Sequence, residues 1–182
     1  MAVSLQLTPG ADALVNSYRL EPAAAGGVES LSLDEYLRSL STNLTDAFFA
    51  SQAAAAQMVS EGRPGCIVNV TSVAGVVGLP GQSSFCSAMA ALTGLTKVLA
   101  TEWAHHGIRV AAVGAGLSAE LLAGLRPLPG ASRRLPPAAL VEPHAVAEAV
   151  RFVLGDRAGG IAGVPVYVDG GWLSDGYWLP FP

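Results

Sequence analysis

The chain has 182 residues and a net charge of −4; 51% of its residues are hydrophobic and only 13% are charged, about half the usual share. That length supports one domain with a sizeable core, and the lack of any basic cluster argues against a nucleic-acid partner. Mean hydropathy is +0.45, yet no run of 18 apolar residues is uninterrupted, so the excess apolar surface is expected in protein–protein contact rather than in a membrane.

The opening "MAVSLQLTPG" has neither the basic start nor the long apolar core of a signal peptide. Residues 1–11 are read as a possible replacement edge strand through "VSLQL" (3–7), pairing beside "DALVNS" (12–17), a short apolar run bounded by turn-formers. Ser32 with Glu35 three positions later forms a capping box, predicting a long helix to about Glu61. "CIVNVTS" (66–72) reads as a buried strand, and Gly75, Gly78 and Gly81 after it as a flexible loop. A second long helix is predicted from about Gln82 to His106, stopped by Gly107, followed by the strand "IRVAAVGA" (108–115).

The Pro-rich segment 125–143, with Arg126, Arg133 and Arg134, reads as a mobile surface loop of the kind that covers a substrate. A third helix is predicted from Pro143 to near Gly155, then the strand "VPVYVDGG" (164–171) and an aromatic tail, residues 172–182. Alternating strands and helices of these lengths predict an α/β fold, a parallel sheet with helices on both faces, in a single domain over residues 1–182. Cys66 and Cys86 form no paired framework; both are expected to be small buried side chains, and a reducing cytoplasm is the expected compartment.

Four segments in the correct order give the chain a resemblance to the short-chain dehydrogenase/reductase family over roughly residues 12–172. "DALVNSYR" resembles the family's D-x-L-V-N-N-A-G strand, and "IVNVTSVAG" the strand bearing its catalytic serine, at Ser72. "TEWAHHGIRVAAVGAG" is similar to the strand ending in Pro-Gly beside the nicotinamide, and "GGIAGVPVYVDGGW" to the closing T-G-x-x-x-x-V-D-G-G. The implied fold is a three-layer Rossmann-like sheet. The implied catalytic tyrosine falls 13 positions after Ser72, on Phe85, and the lysine four further on Met89. The family's helix-kinking asparagine, which anchors a proton-relay water, falls on Asn43. Phe85 has no proton to give and Met89 no charge to lower a neighbour's pKa or hold a ribose.

The resemblance also implies that the family's first nucleotide-binding half, with its G-x-x-x-G-x-G turn, is missing from these residues. Gly114, Gly116 and Ala119 formally spell G-x-G-x-x-A after a strand, but lack an acidic residue about 20 positions on, so dinucleotide binding there is not expected. The chain is therefore expected to be a degenerate family member with no catalytic residue and no bound cofactor, its vestigial positions being Asn43, Ser72, Phe85 and Met89. Its expected role is a non-catalytic subunit in a hetero-oligomer, a dimer or tetramer, with a full-length family member of ketoreductase or hydroxyacyl-dehydrogenase type that carries NAD or NADP. Trp172, Tyr177, Trp178 and Phe181 are expected to touch that partner's pocket. The alternative is a cofactor-independent lyase, cyclase or isomerase on the same scaffold, with Ser72, Asp169, Tyr18 or Asp175 as its polar groups. Halohydrin dehalogenases resemble the family and discard the dinucleotide, but their Ser–Tyr–Arg trio is not matched here.

Overall fold

A computed structural model describes residues 10–20, 27–119, 121 and 140–174. The expected edge strand at 3–7, most of the 125–143 segment, and Asp175, Tyr177, Trp178 and Phe181 lie outside the described residues. Strands β1 (Ala13–Asn16), β2 (Gly65–Ser72), β3 (Ile108–Ala115) and β4 (Pro165–Val168) form one parallel sheet in that order. The helical runs between them are α1 (Leu33–Leu40), a π segment (Ser41–Thr45), α2 (Asp46–Ser60), α3 (Ser83–Trp103) and α4 (Pro143–Leu154). The other predicted strands and helices are present among the described residues.

Local chemistry accounts for the boundaries. The Ser32 hydroxyl accepts the Glu35 backbone N–H at 3.2 Å, and the Glu35 carboxylate accepts the Ser32 N–H at 3.0 Å, closing the capping box that starts α1. The Ser32 hydroxyl, donating to Glu35 Oε2 at 2.6 Å, and secondly the Ser32 N–H hold the Glu35 carboxyl below the usual carboxylate range. At the end of α3, Gly107 takes φ +74°, the left-handed geometry that turns the chain into β3. The helix predicted as continuous from residue 33 to 61 instead carries a π bulge at Ser41–Thr45, where the Asp46 N–H reaches back to the Ser41 carbonyl.

α2 and α3 cover one face of the sheet: Ala54, Ala55, Met58 and Leu99 pack on Ile67 and Val110. α4 covers the opposite face, with Val153 against Cys66, Val68, Ala111 and Val113. Because the chain steps across the sheet in one direction throughout, the β3–α4–β4 crossover has the opposite hand to the two before it. Beneath α2 and α3 a buried polar chain joins the layers. The Asn16 amide donates to Ser51 Oγ (2.9 Å) and Asn69 Oδ1 (2.8 Å), and the Asn69 amide donates to Thr96 Oγ1 (2.9 Å). Each amide thus finds partners in the interior, where an orphan would cost about 1–3 kcal/mol.

Ser83–His106 is long and apolar enough by length and composition to cross a membrane. It is the domain's central helix, with Ala88, Leu92, Thr96 and Leu99 buried toward the sheet and the neighbouring helical segments.

Candidate functional site

Ser72 ends β2, where the chain leaves the sheet through the short turn Val73–Gly75. Its hydroxyl is 1% exposed and accepts the Ala74 N–H at 3.2 Å, so it caps that turn. The turn and the π segment both pack on α3. That convergence brings the elements bearing Ser72, Asn43, Phe85 and Met89 together at one end of the sheet. The turn approaches closely because residue 75 is glycine: a Cβ there would lie 2.8 Å from the Met89 carbonyl carbon and 2.9 Å from the Ala90 nitrogen. Gly75, expected in a flexible loop, is a packing position.

Phe85 and Met89 lie one turn apart on the same face of α3, and each has 0% of its surface exposed. They belong to an apolar cluster with Leu92 of the same helix, Val73 of the turn, Leu117 and Trp172. The Tyr18 ring meets Phe85 edge to face at 5.3 Å between centroids and 67° between planes. Asn43 is 2% exposed inside the π bulge; its Oδ1 accepts the Arg19 N–H at 2.7 Å and its amide donates to the Ser39 carbonyl at 3.1 Å. The asparagine therefore ties the bulge to the segment after β1 and to its own helix. Among these four residues no side chain can take up or release a proton near neutral pH, and Met89 offers no donor to a ribose.

The other polar candidates are committed elsewhere. Asp169 Oδ1 accepts the Gly171 N–H at 3.0 Å and Oδ2 the Leu173 N–H at 2.9 Å, so the carboxylate caps the turn after β4. Ser72 pairs with Ala115 and Ala115 with Val168, which sets Ser72 and Asp169 two strands apart, roughly 10 Å by strand spacing. Burial pushes both cysteine thiols up, and Cys86 Sγ accepts the Leu79 N–H at 3.4 Å; neither thiol is primed as a nucleophile.

Trp172, expected to face a neighbouring subunit, is 8% exposed within this chain's own core. An indole placed directly after the closing strand reaches the α3 cluster before it can reach another chain. Gly114 and Gly116 serve packing rather than phosphate binding. A Cβ on Gly114 would fall 2.2 Å from Tyr167 Cδ1, and one on Gly116 would fall 2.6 Å from the Asp169 Cα. Tyr167 fills the space that Gly114 leaves; burial, and secondarily the Asp169 charge, push its phenol up. Sequence reading missed both Tyr residues as walls of this region. For Tyr18 the signal was present, since it stands where the D-x-L-V-N-N-A-G pattern has alanine.

The family model described as enoyl-(acyl carrier protein) reductase matches residues 3–173. The chain is 37% identical over 170 residues to an uncharacterized short-chain type dehydrogenase/reductase, y4vI, of Sinorhizobium fredii, covering 90% of this chain and 30% of that one. It is 37% identical over 162 residues to the inactive 2-(S)-hydroxypropyl-CoM dehydrogenase 2 of Xanthobacter autotrophicus, covering 84% of this chain and 70% of that one. A solved structure of a short chain dehydrogenase/reductase family protein superposes with a TM-score of 0.79 at 33% identity, over 92% of this chain and 69% of that one. The chain thus spans under a third of the first relative's length and about 70% of the other two.

Proposed function

Since the chain belongs to the short-chain dehydrogenase/reductase family of NAD(P)-dependent oxidoreductases, we propose that it is a non-catalytic subunit assembling with, and supporting, an active family member. The partner is of ketoreductase or hydroxyacyl-dehydrogenase type, and it carries the NAD or NADP. The observation that carries this reading is the state of the two positions that would move the proton. Phe85 and Met89 are chemically inert and have no exposed surface. A hydride acceptor or donor placed beside them would find neither an acid nor a base in these two side chains. The name of the Xanthobacter relative, an inactive dehydrogenase, supports the view that this framework persists without turnover. The cytoplasm remains the proposed compartment.

The face that fits a partner is the outer side of α2 and α3. Phe49 is 45% exposed and Val98 51%, beside a cavity of about 290 Å³ walled by Phe48, Gln52, Leu99 and Trp103. An exposed aromatic ring and small residues on two adjacent helices suit helix-on-helix packing with another subunit. Co-expression with a full-length active member should give a complex that co-elutes in size-exclusion chromatography. Phe49→Asp with Val98→Asp should abolish co-elution while leaving the far-ultraviolet circular dichroism unchanged. A monodisperse monomer in sedimentation, with the partner present in excess, would overturn the assembly reading.

The tail extends the same proposal. Tyr177, Trp178 and Phe181 could each bury on the order of 150–250 Å² against the partner, walling its substrate pocket. Deleting residues 174–182 should leave the complex assembled and raise the partner's KM. Unchanged kcat and KM in the assembled, truncated complex would remove the tail from that role.

The alternative cofactor-independent enzyme gains no support from the described residues. Ser72, Asp169 and Tyr18 are each committed to a turn, a cap or an aromatic contact.

A further inference from the structure

On the α4 side of the sheet, at the carboxyl ends of the strands, lies a cavity of about 440 Å³. Its walls are mainly apolar, from Val15, Val70, Val146 and Val150, with the hydroxyl-bearing residues Ser17, Tyr18 and Ser118. Tyr18 is shared between two environments. It lines this cavity, and its ring also packs edge to face on Phe85 as part of the buried α3 cluster. Phe85 does not line the cavity and has no exposed surface. The Tyr18 ring therefore borders both the open space and the Phe85–Met89 position. In the pattern D-x-L-V-N-N-A-G this residue is alanine, whose methyl group would leave that space clear.

We propose that Tyr18 is a partition residue: its ring closes the Phe85–Met89 position to any planar aromatic or heteroaromatic ligand entering from the 440 Å³ cavity. The site is thus blocked by volume as well as by chemistry. A nicotinamide ring is of the class excluded, so restoring the missing tyrosine and lysine would still leave no room for the cofactor's reactive ring. The inference rests on the non-catalytic reading in one respect, that nothing has to reach Phe85. Its test uses the isolated chain, so failure of the partner proposal leaves the result intact.

The test uses methyl-labelled methionine as a local reporter. The chain has three methionines; Met89 sits beside Phe85, while Met58 lies in the separate α2–β2 cluster and serves as the folded-state control. The probe is indole, because an apolar cavity opened by truncation takes up small aromatic molecules. Indole should leave the Met89 methyl resonance of the wild-type chain and of Tyr18→Phe unmoved. In Tyr18→Ala it should shift Met89 and not Met58, with an affinity at least about tenfold above wild type. If the alanine variant loses its dispersed Met58 signal, Tyr18→Val carries the same comparison. A folded Ala or Val variant whose Met89 ignores indole would overturn the proposal. So would a wild-type chain whose Met89 responds as strongly. A Phe variant that opens as far as the Ala variant would assign closure to the hydroxyl and refute the role of the ring.

Discussion

Met89→Lys destabilises the folded chain by on the order of 3–5 kcal/mol at neutral pH, because it places an unpaired ammonium in an apolar cluster. Met89 has 0% exposure, and the packed neighbours Phe85, Ala88 and Leu92 offer no acceptor side chain. Burial lowers the new ammonium's pKa below its unfolded value of about 10.4. The unfolded chain then binds the proton more tightly than the folded chain, so stability rises with pH between the two values. The variant should be weakest below its folded pKa and should recover toward wild type as the pH approaches about 10. Urea denaturation across that range measures both the penalty and its sign. A variant as stable as wild type at neutral pH would mean that position 89 reaches water or an anion, against the closed site described above.

Phe85→Ala removes the ring at the centre of the same cluster and should cost about 3–5 kcal/mol. The comparison with Phe85→Tyr separates packing from chemistry. Tyrosine keeps the ring and buries a hydroxyl, so its cost should be smaller, about 1–3 kcal/mol if the hydroxyl finds no partner. Thermal or urea unfolding of both variants checks the order. If Phe85→Tyr is neutral or stabilising, a hydrogen-bond acceptor is waiting at that position and the site retains a feature of an acid/base pair. The two substitutions are one turn apart and share neighbours, so their double variant is not expected to be additive.

Local signals carried most of the architecture. The Ser32–Glu35 box, Pro143 at the first turn of α4 and Gly107 after α3 each act within a few residues of where they stand, so sequence alone could place them. Phe85 and Met89 stand one turn apart because both lie on the regular helix α3, whose pattern is local as well. What escaped was set by contacts distant in sequence. The π bulge falls at Asn43, where the resemblance implied a helix-kinking asparagine, but the bond it receives from the Arg19 N–H spans 24 residues. Gly75 looked like one of three loop glycines, but its reason is the backbone of α3 against which it packs. Gly114 matched a phosphate-binding spacing, whereas its cause is the Tyr167 ring on the adjacent strand. Trp172 was grouped with the tail's other aromatics; burial, which composition does not report, separates it from them.

The most direct test of the central claim is a count of bound nucleotides. The complex with an active family member, isolated with both subunits present, is loaded with saturating NADH or NADPH and weighed by native mass spectrometry. The account predicts nucleotides equal in number to the active subunits, with none assigned to this chain. Nucleotide bound to both kinds of subunit would contradict it.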